Sequence, residues 1–190
     1  IEGMETEAYF QKEENRPVIV GFGPAGLFAG LLLSRAGLRP IIYERGEAVE
    51  KRMKTVEKLW TEGILNPNSN AQFGEGGAGT FSDGKLNTLV KDKEGRSRFV
   101  LETFVEKGAK EEILYESKPH VGTDALIGIV SSIRKEIECL GGEVRFETQY
   151  HFHQEEKRPL IIAIGHSARD SFQELFSLGF PIVAKDFAMG

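Results

Sequence analysis

The chain has 190 residues, of which 40 % are hydrophobic and 28 % charged, enough apolar content for one globular domain and too much for a disordered chain. Lys plus Arg is 24 against 29 for Asp plus Glu, a formal net charge of −5, so the balance gives no expectation of a nucleic-acid or anionic-membrane partner. A single cysteine, Cys139, excludes an internal disulfide and a CxxC pair and points to a reducing, cytoplasmic compartment.

In chain order, residues 1–15 are polar and are expected to form a tail or linker, with the domain proper spanning 16–190. The apolar run Pro17-Val-Ile-Val-Gly21 predicts a buried parallel strand. A helix is expected over 24–36, because Pro24 suits a first turn and Gly37 suits a stop. Pro40-Ile-Ile-Tyr-Glu44 predicts a second strand, completing a βαβ unit. A helix over 47–60 would present Val49, Met53, Val56 and Leu59 or Trp60 on one face, with Trp60 in the core. Residues 66–86 read as a long irregular segment of the kind that binds something.

Further on, residues 98–107 predict a helix ending at Gly108. Thr123 is the expected N-cap of a helix reaching Leu140. Strands follow around 144–146 and 160–164. A capping-box pattern, Ser167 with Asp170, would open a helix to Leu178, and residues 180–183 would form a last strand. The order β-α-β-α-α-α-β-β-α-β predicts a doubly wound α/β sheet with a Rossmann-like topology.

Gly21-Phe22-Gly23-Pro24-Ala25-Gly26 fits G-x-G-x-x-G between a predicted strand and a predicted helix. Each glycine has its own physical reason: Gly21 for the tight turn, Gly23 for close approach to a pyrophosphate, and Gly26 for helix–strand packing. The pyrophosphate would meet backbone N–H groups at the positive end of the helix dipole. Glu44 closes the second strand, where a carboxylate accepts from ribose hydroxyls and repels a 2′-phosphate. A glycine-rich turn without a ligand is the plain alternative. A nicotinamide cofactor is the nearer competitor, although Gly30 and Gly37 extend the series toward the form typical of FAD sites.

A second segment, residues 73–85, holds five glycines in thirteen positions. Such density costs backbone entropy and is tolerated where main chain lies against a flat or charged ligand. Gly76, Gly77, Ala78, Gly79, Thr80 and Ser82 are candidate contacts to a flavin, and Lys85 is a candidate cation near its ring. A mobile surface lid is the alternative. The segment is not a P-loop, because Leu86 follows Lys85. His151 and His153 make two ligands without a third, so no metal site is expected.

These motifs together resemble a family of bacterial FAD-dependent dehydrogenases within the glutathione-reductase-like superfamily. The resemblance rests on the fingerprint, on Glu44-Arg45-Gly46, on residues 68–85, on residues 118–124 and on Ala163-Ile-Gly-His-Ser-Ala-Arg-Asp170. It implies a two-domain flavoprotein of which this chain is a fragment, incomplete at the C-terminal end of its FAD-binding domain. The implied activity is a flavin-dependent dehydrogenation with hydride transfer through flavin N5, an unknown small-molecule substrate, and a nicotinamide dinucleotide as candidate electron donor. The resemblance implies an FAD contact at Gly165, with His166 and Ser167 beside it; His166 and Lys85 are the candidate groups near the ring. The glutathione reductase dithiol has no counterpart, which removes disulfide reduction. Two alternatives stay open: an NAD-binding domain of a dehydrogenase, and a non-catalytic nucleotide-binding fragment.

Overall fold

The computed structural model describes residues 12–82, 84–86, 92–116 and 120–185. Residues 1–11 of the expected tail, and Asp83, Lys118 and Pro119 of the family-like segments, lie outside the described residues. The strands are β1 (Val18–Val20), β2 (Ile41–Tyr43), β3 (Glu143–Arg145) and β4 (Leu160–Ile162). All pair in parallel, in the order β3-β2-β1-β4. Five α-helices accompany them among the described residues: α1 (Pro24–Arg35), α2 (Val49–Glu62), α3 (Arg96–Glu106), α4 (Thr123–Cys139) and α5 (Arg169–Ser177).

The period-2 side-chain alternation of a strand divides the core. Ile19 and Ile42 face one side, where Leu27 and Leu31 of α1 and Ile129, Ile133 and Ile137 of α4 cover them. Val18 and Val20 face the other, with Tyr150, Phe152 and Leu175 of α5. Helices therefore cover both faces, compatible with a Rossmann-like sheet. Gly30 explains the closeness of the first layer, since a Cβ there would stand 2.7 Å from Ile42 Cδ1 and 3.1 Å from Ile137 Cδ1. The chain winds outward from β1 to β2 and β3, then crosses to place β4 on the other side of β1. That reversal opens a crevice beyond the carboxyl ends of β1 and β4, where open α/β sheets bind ligands.

Several expectations are corrected. Residues 180–183 form no strand: Phe180, Ile182 and Val183 are exposed, and β4 pairs only with β1. The buried positions of α2 are Val49, Arg52 and Val56, while Met53 and Trp60 are exposed, Trp60 at 64 %. An arginine occupies the inward stripe, which apolarity alone would not select. Gly122 caps α4, so Thr123 is its first residue and its hydroxyl donates to the Ser82 carbonyl at 3.1 Å. Ala168 caps α5 without a side-chain bond, and Asp170 pairs with Arg45 instead of closing a capping box. No helix among the described residues is long and apolar enough to cross a membrane.

Candidate functional site

The crevice at the switch point is a cleft of about 560 Å³, within the usual range for small-molecule sites. Its floor is the turn after β1. Gly21 has φ +99°, and a Cβ there would lie 2.4 Å from the Ala163 carbonyl oxygen. At Gly26 a Cβ would lie 1.9 Å from the Gly21 oxygen. Both are demanded by the fold itself. Gly23 is different: its φ is −73°, and a Cβ would meet only Gly77 Cα, at an ordinary 3.7 Å. Among the described residues nothing requires glycine at 23.

Gly23 is also the N-cap of α1, where Pro24 has no N–H to satisfy. The N–H groups of Ala25 and Gly26 find no acceptor among the described residues, the ordinary state of a first helical turn. These donors and the helix dipole suit an anion.

Glu44 forms the next wall. It is 5 % exposed, and its two carboxylate oxygens accept the Phe22 N–H at 2.7 Å and the Gly46 N–H at 2.8 Å. The acid thus ties the turn after β1 to the end of β2. Each oxygen keeps a further lone pair, so the anchoring does not exhaust its capacity to accept. Arg45 lies with its guanidinium 5.1 Å from the Phe73 ring centroid and donates to Asp170 Oδ1 at 3.0 Å and Ser171 Oγ at 2.8 Å. Burial pushes the Asp170 carboxyl up, but the Arg45 bond and backbone N–H groups outweigh it, leaving a net downward shift.

The second glycine-rich segment closes the cleft from the other side. It is stitched to the first wall through the Gly76 N–H on the Phe22 carbonyl at 2.9 Å and the Glu75 N–H on the Glu47 carbonyl at 3.1 Å. A 3-10 turn, Ala78–Phe81, follows. The N–H groups of Ala78 and Gly79 find no acceptor among the described residues, and both residues are exposed at the cleft.

The structure brings Gly21, Gly23, Pro24, Ala25, Glu44, Arg45, Gly77, Ala78, Gly79, Gly165, His166 and Ser167 together around this one space. Gly26, Gly76, Thr80, Ser82 and Lys85 do not line it. Thr80 is buried behind Gly76, and the Ser82 hydroxyl donates to the Gly79 carbonyl at 2.8 Å. Lys85 forms an antiparallel bridge with His120, which draws that end of the segment toward the start of α4 and away from the cleft. The cation expected near a ring is therefore not among the cleft residues. The described residues hold no group of three or more His, Cys, Asp or Glu suited to a metal.

No protein-family model matches the chain. The chain is similar to an uncharacterized protein of Clostridium beijerinckii, 52 % identical over an alignment 190 positions long that takes in 92 % of this chain and 35 % of the relative. It spans about a third of the length of that curated relative.

Two residues behind the cleft escape sequence inspection. Arg52 is fully buried, and burial pushes its guanidinium down to about 10 against the opposing pull of Glu44 and Glu75. It stays protonated at neutral pH. Glu75 is also fully buried, and burial pushes its carboxyl up to about 7 despite the Val49 N–H at 2.7 Å and nearby Arg134. Arg134 Nε stands 3.1 Å from Glu75 Oε1, but the angle does not make a hydrogen bond, so neither atom gains a hydrogen-bonding partner. The one signal in the sequence is spacing: position 52 falls three after Val49 and four before Val56, on the inward stripe.

Proposed function

We propose that the cleft binds the ADP portion of FAD and that the chain is the nucleotide-binding part of a flavin-dependent oxidoreductase, akin to the dehydrogenases its motifs resemble. The observation that carries this is Gly23. Among the described residues nothing demands glycine there, and it sits at a helix N-terminus with N–H donors that find no acceptor among those residues on both sides of the cleft. A diphosphate lying there supplies the missing reason for the bare backbone. Glu44, held by two backbone N–H groups, would accept from the ribose hydroxyls with its remaining lone pairs. Bound flavin would supply hydride chemistry at N5, while the residues here bind and orient the nucleotide. Gly165 and His166 would flank the cofactor, with NAD(P)H as candidate electron donor.

The test is a titration of the 190-residue chain with ADP, FAD and NAD by calorimetry, with a visible spectrum of the protein as purified. Binding of ADP and FAD with NAD weaker by tenfold or more is the expected result. Preferential binding of NAD would move the assignment to a nicotinamide-dependent dehydrogenase. Binding of none would overturn the nucleotide site.

A further inference from the structure

A fully buried arginine without a carboxylate on it is rare, because removing a guanidinium from water costs several kcal/mol. Arg52 is such a residue: among the described residues no carboxylate pairs with it directly. Its acceptors are main-chain carbonyls of one segment. Nε donates to Asn70 at 2.9 Å, and Nη1 donates to Glu75 at 2.6 Å and Gly77 at 2.9 Å, with the Gly74 carbonyl at 3.5 Å. The guanidinium also lies 4.8 Å from the Phe81 ring centroid. Nη2 has no hydrogen-bond partner among the described residues. Gly74 is shaped to the arginine stem, since a Cβ there would stand 2.5 Å from Arg52 Cδ. The arginine thus touches the chain at intervals from Asn70, just before the glycine-rich segment, to Phe81 within it.

Resting on the nucleotide assignment above, we propose that Arg52 is the positioning residue of the second glycine-rich segment. It gathers the segment's carbonyls on the buried side and so leaves the Ala78 and Gly79 N–H groups to the cleft. A loop so rich in glycine has a large entropy to lose on ordering. A planar fork that donates to several carbonyls at once selects one conformation from that ensemble. Lysine carries the same charge but no fork, and methionine keeps much of the stem without any donor.

The test compares wild type, Arg52→Lys and Arg52→Met, using ADP affinity by calorimetry and amide hydrogen exchange as readouts. Expected are an ADP affinity at least tenfold weaker in Arg52→Met, an intermediate value in Arg52→Lys, and faster exchange confined to residues 70–80. Exchange in β1 and β2 should stay at its wild-type level, which separates positioning from general support of the fold. Saturating ADP should restore protection of residues 70–80 in Arg52→Lys. The inference is overturned if Arg52→Met binds ADP within twofold of wild type, or if protection is lost across the whole sheet. Should Arg52→Met fail to fold, Arg52→Lys carries both readouts. Wild-type protein that binds no ADP would overturn the nucleotide assignment, and the exchange pattern alone would then decide the role of Arg52.

Discussion

The two glycine-rich segments that meet at the cleft are built by opposite means. Residues 21–26 are held by covalent geometry and close packing: two of their glycines are demanded by carbonyl oxygens that leave no room for a Cβ. Residues 73–82 are held by buried polar groups, Arg52 from behind and their own Glu75 through the Val49 N–H, and among the described residues neither has its hydrogen-bonding capacity filled. A turn shaped by steric contact tolerates few substitutions at its glycines, and here Glu44 also ties it to the end of β2. A loop determined by a buried ion depends on one residue far away in sequence, and it inherits the pH dependence of its neighbours.

The comparison can be broken most forcefully at Gly26. A methyl 1.9 Å from the Gly21 oxygen forces the turn open, so Gly26→Ala should lose about 3 kcal/mol or more in urea unfolding. A loss below about 1 kcal/mol would show that the turn yields easily and is not self-determined. Glu44→Ala should follow, at about 2–4 kcal/mol, because it strands the buried N–H groups of Phe22 and Gly46. An unchanged unfolding midpoint there would mean that the acid is not what joins the turn to β2.

The other segment is probed at Glu75. Its carboxyl rises from 4.5 to about 7 on folding, so the folded state binds the extra proton between those values. Stability attributable to this group is therefore greatest below about pH 4.5, falls as pH rises to about 7, and is flat above. Glu75→Gln imitates the protonated form, and should gain roughly 1–3 kcal/mol at pH 8 with much less change near pH 5. Urea midpoints of both proteins at the two pH values check this; an equal effect at both would remove the titration from the account.

The smallest expected change in stability is at Gly23, and it is the most informative for function. Gly23→Ala meets only an ordinary 3.7 Å contact at a φ any residue adopts, so its unfolding free energy should stay within about 1 kcal/mol of wild type. On the proposed function its ADP affinity should nonetheless fall about tenfold or more, because the methyl would stand where a diphosphate would lie. Equal affinities for the two proteins would mean that the bare backbone at 23 serves no ligand.

Much of the site's first wall was legible in the residues. The strand, the turn glycines, the helix with Pro24 at its start and Glu44 at the end of β2 all follow from local rules of sterics and periodicity, and the structure draws them around one cleft. The second wall was legible only as a composition. Sequence marks residues 73–85 as unusual but cannot say that Gly77, Ala78 and Gly79 line the cleft while Lys85 bridges to His120. The apolar run at 180–183 suggested a strand, yet a strand needs a partner edge, and none is paired with it.

What the sequence determined by itself is what depends on neighbours a few positions apart: which segments are helix or strand, where the helix must begin, and where side chains must be absent. What the tertiary structure alone decided is which distant groups share a buried space. Arg52 lies on the inward stripe of α2, and only the return of residues 70–77 across that stripe turns a misplaced charge into the support of a loop. Burial is a property of the assembled chain, and a guanidinium out of water binds whatever carbonyls the fold brings to it.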